Sequence, residues 1–356
     1  MRSDGENDAT IATVGREAGD ETLPRRKRIS FNWIEVHVAS HCNIRCNGCS
    51  HHSPFVRKRF YDLERYRRDL TALSKVARVN FLWLLGGEPL LNERLSDFLA
   101  ISKKIGFSKL NGISTNGVLL SKASDAIFDA VDYIFVSLYP AFEKNRGKIV
   151  RLLREKSRGR RFTFNVIGKS HFYDVETRDA KPLSAELAQQ SYRNCDRAIR
   201  GQFVEDGYFY KCMRPVSTEE YLRNRGCKED LPDFRKVDGV AIHAPDLHGR
   251  LKAYMESSEC LQSCFYCTMG IKNQSKVTLW RRIKSKFEFN GMLQNLIYRS
   301  RALLYLSHAF QDIFERHFAR KIGNRQIDIG VPLTVHRLLR ADEVCPRAPE
   351  GRREAQ

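Results

Sequence analysis

No stretch of the 356-residue chain approaches the run of about 18 apolar residues that a membrane-spanning helix requires, so such a helix is excluded. The first 28 residues also lack the apolar middle of a secretory signal; they are polar, carry Glu6 and Asp8, and close on Arg25-Arg26-Lys27-Arg28. They read as a disordered tail in a cytoplasmic protein. No repeat of fixed period occurs, so a stacked-repeat architecture is not expected. Acid is in short supply: 42 Asp and Glu stand against 61 Lys and Arg, a net charge of +19. That excess fits either a solvated basic surface or an acidic partner, whether an electron-carrier protein, a phosphorylated substrate, RNA or a membrane surface. Charge alone does not choose among them. The chain has 42% hydrophobic and 10% aromatic residues, enough for a real core in one large domain or two ordinary ones.

Ten cysteines are many for a reducing compartment, where disulfides are disfavoured and clustered thiols bind metal or do chemistry. They fall at 42, 46, 49, 195, 212, 227, 260, 264, 267 and 345. Two close triplets and one hairpin-like pair stand out from the scatter that buried single cysteines would give.

Between Ile34 and Ile167, short β-branched or aromatic runs alternate with helical periodicity. The runs predict strands over Ile34–Ala39, Val79–Leu85, Leu110–Ser114, Tyr133–Leu138 and Phe162–Ile167, with His171–Val175 a weak sixth. Leu63, Tyr66, Leu70, Leu73 and Ala77 share one face at helical spacing. Further helices are expected over Glu93–Ile105, Ser121–Ala130 and Phe142–Glu155. Strand–helix repetition of this kind implies α/β architecture, a parallel sheet with right-handed crossovers. Lys169–Arg193 reads as a connector with one helix. Gln202–Glu205 and Tyr208–Lys211 flank an Asp206-Gly207 turn and predict a β-hairpin. Residues 271–325 hold 12 Lys and Arg against 3 Asp and Glu. Amphipathic helices are expected there, one with Trp280, Ile283 and Phe287, another with Phe310, Ile313, Phe314 and Phe318.

The first triplet, Cys42-Asn43-Ile44-Arg45-Cys46-Asn47-Gly48-Cys49, follows the first strand, and loops at the C-terminal ends of parallel strands are where ligand chemistry collects. Three thiolates on one loop can hold three irons of a cubane and leave the fourth open. A zinc site is the alternative, with His41, His51 or His52 completing it. Gly86-Gly87-Glu88-Pro89 closes the second strand; the glycines allow close backbone approach of a ligand, and the carboxylate suits an ammonium. A plain strand-ending turn is the bland reading. Ser114-Thr115-Asn116-Gly117 closes the third strand, and Ser137 stands near the end of the fourth. Polar residues at successive strand ends suggest a site at one rim.

In order and spacing, the cysteine triplet, Gly-Gly-Glu-Pro and Thr-Asn-Gly resemble the radical S-adenosylmethionine (SAM) superfamily from about Ile34 to Ile167. The resemblance implies a partial (β/α)6 barrel, a catalytic [4Fe-4S] cluster on Cys42, Cys46 and Cys49, and SAM as cofactor. It implies that Gly86, Gly87 and Glu88 contact the methionine moiety, and that Ser114, Asn116 and Ser137 line its ribose and carboxylate. One departure stands out: Gly48 occupies a position where the family often has an aromatic residue near adenine.

Downstream, Cys195 and Cys212 frame the pattern C-x11-G-x4-C across the predicted hairpin, and Cys260-x3-Cys264-x2-Cys267 follows. A hairpin thiolate, one before it and a later C-x2-C pair can supply four ligands to a closed cluster; four-cysteine zinc is again the alternative. The pattern resembles SPASM/Twitch auxiliary-cluster domains. That implies a second, auxiliary [4Fe-4S] cluster on Cys195, Cys212, Cys264 and Cys267, with Cys260 competing with Cys264. A further cluster using Cys227, Cys260 and Cys345 stays open.

The expected organisation is therefore a tail (1–28), a radical SAM partial barrel (29–183), a small hairpin-containing auxiliary-cluster domain (184–270) and a basic helical extension (271–356). The resemblance implies reductive cleavage of SAM to a 5′-deoxyadenosyl radical, which takes hydrogen from an unactivated C–H bond. The leading expectation is an oxidoreductase that converts an alcohol of a sugar, cyclitol or similar small polar metabolite to a carbonyl. Alternatives are an epimerase in which the Cys227 thiol returns hydrogen, a ribosomal-peptide maturase, and a zinc-stabilised binding protein. Only about 30 residues precede the barrel, few for a fused peptide-recognition domain. The expected partners are a small-molecule substrate and a reductant such as flavodoxin or ferredoxin, rather than nucleic acid.

Overall fold

The computed structural model describes residues 22–24, 27–46, 48–168, 175–195, 197–198, 201–274, 302–303, 305–306 and 335–338. Its centre is an eight-stranded sheet of β1 (Ile29–Ala39), β3 (Ala77–Gly86), β4 (Ser108–Thr115), β5 (Tyr133–Leu138), β6 (Thr163–Gly168), β7 (Phe203–Glu205), β8 (Tyr208–Tyr210) and β9 (Val240–Ala241). The short β2 (Ile44–Cys46) lies inside the first cysteine loop. The spatial order is β6-β5-β4-β3-β1-β7-β8-β9. All neighbours from β6 to β7 pair in parallel, and the last two pairings are antiparallel.

Period-two alternation sorts the strand side chains. Ile34, Val36, Val38, Leu82, Leu84, Ile113, Ile134 and Val136 form one buried core with Tyr66, Leu70 and Leu73 of α1 (Leu63–Val76) and Phe98 and Leu99 of α2 (Leu95–Ile105). The opposite, inner face carries a second core of Phe81, Trp83, Leu85, Leu110 and Tyr133. Asp62 starts α1 by accepting from the Arg65 amide at 2.8 Å. The helices α3 (Asp125–Ala130) and α4 (Arg146–Ser157) complete the layer. No helix among the described residues is long and apolar enough to cross a membrane.

Several boundaries differ from the sequence expectation. Ala77 begins β3 rather than ending α1. The Ser124 hydroxyl accepts from the Ala126 amide, so α3 starts there and not at Ser121. Pro140–Asn145 is a 3-10 turn ahead of α4. The largest difference concerns the sixth strand. Residues 171–174 lie outside the described residues, and Val175 is no strand: its carbonyl accepts from Thr268 N at 2.7 Å. The sixth parallel strand is β7, seated beside β1 instead of β6. β1 needed a partner for its free edge, and Glu35 N donates to Gln202 O there at 2.9 Å.

The hairpin expected to head a separate unit thus continues the barrel's own sheet. Its turn residues Asp206 (φ 50°) and Gly207 (φ 84°) both lie in the left-handed region, as a tight hairpin turn matching strand twist requires. α5 (Ala185–Arg193) precedes it, and α6 (Thr218–Asn224), α7 (Phe234–Val237), α8 (Leu247–Glu256) and α9 (Met269–Gln274) follow. The amphipathic helices expected near Trp280 and Phe310, and Cys345, lie outside the described residues, as does most of the 1–28 tail.

Candidate cluster and cofactor site

The first cysteine loop leaves the C-terminal end of β1 and is held by the segment that closes β3. Gly87 N donates to Ala39 O at 2.9 Å and Glu88 N to His41 O at 3.0 Å. A Cβ on Gly86, whose φ is +140°, would lie 2.0 Å from Ala39 O; one on Gly87 would lie 2.1 Å from His41 O. The expected reason for the two glycines was close approach of a ligand. The structure gives another: they let β3 press against the backbone that carries Cys42.

The three thiols share a buried environment. Burial, then the nearby Glu88, raises the Cys42 thiol well above its ordinary value. Burial and the neighbouring Cys49 push Cys46 up to about 12. Burial also raises Cys49, but backbone amides of Ser53, His51 and His52 point at its sulfur and favour a thiolate. Such a set stays protonated until a cation replaces the protons.

Glu88 is fully buried. Its carboxylate accepts from Thr115 Oγ1 at 2.7 Å, Asn116 N at 2.8 Å and Leu90 N at 3.1 Å. These bonds tie the end of β3 to the end of β4. A carboxylate offers about four acceptor positions, so about one is left for an ammonium. Burial lifts the carboxyl to about 7.

Asn116 turns towards the loop: its Nδ2 donates to Asn43 Oδ1 at 2.7 Å and lies 3.5 Å from Cys42 Sγ. Ser114 and Ser137 stand half-buried on the inner face, two residues beyond Gly112 and Phe135. Tyr139, just past β5, was not singled out by sequence. Burial raises its hydroxyl, and Cys46, Cys49, Cys42 and Glu88 add to the shift, so the hydroxyl lies within the electrostatic reach of all three thiols. An aromatic residue two positions after a strand-end serine was the only available signal.

The second cysteine set converges as well. Cys195, Cys212, Cys264 and Cys267 line one open cavity, together with His51 and Arg214. Burial, then Cys212, Cys267 and Cys195, raises the Cys264 thiol; burial and Cys195 lead the same shift at Cys212. Cys260 stands apart. After burial, the charges acting on it are those of Glu259 and Asp238, and its amide donates to Gln189 Oε1 at 3.0 Å. Asp238 causes this division: it accepts from the amides of Gln262 and Ser263 at 2.6 and 2.8 Å, pinning the loop with Cys264 inward.

Cys227 joins neither set: it packs against the apolar cluster of Leu222, Leu231, Phe234 and Tyr266 and is not among the residues lining this cavity.

Buried polar links join the two sets. His51 Nδ1 and His37 Nε2 lie 2.7 Å apart, and His37 Nδ1 is 3.3 Å from Glu205 Oε2. Nearby, Arg214 forks onto both oxygens of Glu176, and His52 Nε2 is 2.9 Å from Glu176 Oε1. Against the upward push of burial, Arg214 and His52 hold the Glu176 carboxyl well below the usual range. Among the described residues, no three His, Cys, Asp or Glu side chains converge closely enough for one metal ion. A cubane makes no such demand, because each thiolate takes a different iron.

A sequence model described as the radical SAM superfamily matches residues 36–168. This segment is a radical SAM domain. Its cysteine loop, Gly-Gly-Glu-Pro segment and Ser114–Asn116 all fall at strand ends on one rim. Curated relatives include a GTP 3',8-cyclase of Chlorobaculum tepidum, 31% identical over 127 residues, or 35% of this chain and 38% of that one. Another GTP 3',8-cyclase, of Peptoclostridium acidaminophilum, is 22% identical over 286 residues, 74% of this chain and 84% of the other. The chain therefore spans little more than a third of the first relative's length. Among solved structures, BtrN in complex with AdoMet and 2-DOIA is similar at TM-score 0.38 and 17% identity, over 68% of this chain and 89% of that one. A likeness of that degree carries no argument.

Proposed function

We propose that the chain is a radical SAM enzyme carrying two [4Fe-4S] clusters, one on Cys42, Cys46 and Cys49 and one on Cys195, Cys212, Cys264 and Cys267. It oxidises an alcohol of a sugar, cyclitol or similar small polar metabolite to a carbonyl. The observation carrying this reading is the convergence of the second four thiols on one cavity, which His51, two residues after Cys49, also lines. Three thiolates leave one iron open to the methionine group of SAM, whereas four leave none, which suits an electron acceptor better than a substrate anchor. When bound, the first cluster with SAM supplies hydrogen-atom abstraction from an unactivated C–H bond, and the second an acceptor for one electron.

The chain's own residues do the positioning. Glu88 locks two strand ends and keeps about one acceptor position for the methionine ammonium. Asn116 orients Cys42, and Ser114, Ser137 and Tyr139 line the rim for the rest of SAM. A net charge of +19 suits an acidic electron donor of the flavodoxin or ferredoxin kind.

A nucleotide substrate is the second reading. It is favoured by the relatives' name and by Arg197, which lines the cavity and lies 3.4 Å from Glu35. Anaerobic reconstitution tests the main proposal. About eight irons per chain and 5′-deoxyadenosine under dithionite are expected; bound zinc, or no SAM cleavage, refutes it. Incubation with polyols and with GTP separates the two substrate classes by which one is consumed.

A further inference from the structure

Lys211 precedes Cys212 at the end of the hairpin and is 2% exposed. Its Nζ donates to Tyr192 Oη at 2.7 Å and to Ser257 O at 2.6 Å. It also sits 5.2 Å from the Tyr192 ring centroid and 5.1 Å from that of Tyr254. A carbonyl, a hydroxyl and two aromatic faces make a box for an ammonium ion. Among the described residues no carboxylate pairs with Lys211; apart from these neutral partners, the Cys264 thiol is what acts on its charge. Arg214, the other buried cation facing these cysteines, is neutralised by Glu176. A buried charge without a counter-charge is strongly unfavourable, so something else must answer it.

Cys264 of the second set is the acidic group that acts electrostatically on this ammonium. Tyr192, whose hydroxyl Lys211 holds, lines the same cavity as Cys195, Cys212, Cys264 and Cys267. Tyr254, on the ammonium's other side, accepts from the Lys211 amide at 3.1 Å. A [4Fe-4S] cluster with four thiolate ligands is a net anion and gains one more negative charge on reduction.

We propose that Lys211 is the buried counter-ion of the auxiliary cluster, a positioning charge that stabilises the reduced form more than the oxidised form and so raises its potential. This rests on the reading of the second cysteine set as a cluster site. Because the ammonium is held by two tyrosines and a carbonyl rather than by an acid, no paired carboxylate cancels the charge it presents beside Cys264. Electron acceptance from a substrate radical is then favoured at that cluster.

The test uses the full-length chain with Cys42, Cys46 and Cys49 replaced by Ala, which isolates the second cluster. If this background binds no iron, the cluster reading itself fails, and Lys211 is not at issue. With about four irons bound, redox titration followed by electron paramagnetic resonance compares Lys211→Met and Lys211→Arg. Lys211→Met should lower the reduced-to-oxidised ratio at fixed potential at least tenfold, about 59 mV for one electron, and Lys211→Arg should restore it. Loss of iron in Lys211→Met with full loading in Lys211→Arg supports the same conclusion, since charge and not shape is what the pair shares. An unchanged potential in a fully loaded Lys211→Met, or loss of iron in both variants, overturns the proposal.

Discussion

Gly87→Ala isolates what the strand-end glycines do. The added Cβ would lie 2.1 Å from His41 O, 2.2 Å from His41 C and 2.8 Å from Cys42 N. All three are backbone atoms, so no rotamer change relieves the overlap. Either β3 or the cysteine loop must move, and with it go the bonds from Gly87 N to Ala39 O and from Glu88 N to His41 O. Those bonds are worth about 1 kcal/mol each, and overpacking adds about 1–3 kcal/mol. The sum, about 3–5 kcal/mol, is less than the usual total of about 5–15 kcal/mol for a folded domain. The sheet should therefore survive while the loop shifts. Iron should fall from about eight to about four per chain, because the second set lies on other segments. A misplacement of about 1 Å is enough to reduce SAM cleavage about 100-fold. Gly147→Ala is the control: its Cβ meets nothing within 4 Å, and in α4 it should raise stability by up to about 1 kcal/mol with iron unchanged. Iron analysis and 5′-deoxyadenosine yield, measured beside thermal melting, decide the matter. A Gly87→Ala protein with full iron and wild-type cleavage would refute the reasoning.

Glu88→Gln sets an amino group against the donors that the carboxylate now accepts; SAM affinity should fall by about 1.5–3 kcal/mol by calorimetry, with both clusters retained. The same carboxyl is lifted from 4.5 to about 7 by burial, so the cluster-free native chain holds a proton the unfolded chain has released. Its contribution is full below about 4.5 and lost as pH rises through about 7, by about 3 kcal/mol. Denaturant titrations across that range should show the slope in wild type and not in Glu88→Gln. Cys264→Ala should lose the second cluster, whereas Cys260→Ala should keep it; equal iron loss in both would contradict the cavity geometry. Cys227→Ala should keep both clusters and full SAM cleavage, since its side chain packs against the apolar cluster and lines neither cysteine set. A stalled reaction that still makes 5′-deoxyadenosine would return Cys227 to the chemistry.

Sequence determined whatever depends on neighbours along the chain. The first five parallel strands, the two cysteine groups and the Asp206-Gly207 hairpin follow from alternation, spacing and turn chemistry, all of which act over a few residues. Tertiary structure decided what depends on which distant segments meet. Periodicity marks β7 as a strand but cannot say that it seats beside β1. Gly86 and Gly87 read as a ligand cradle until the backbone of residues 39–42 is found against them. Cys260 and Cys264 differ by four positions, and only the grip of Asp238 on Gln262 and Ser263 turns one of them into the cavity. Cys227 carries the same thiol, and packing sets it against an apolar cluster instead. Tyr139 and Lys211 are ordinary letters in the chain; they matter because folding buries a tyrosine hydroxyl within the electrostatic reach of three thiols, and buries an ammonium near Cys264 with no paired carboxylate among the described residues.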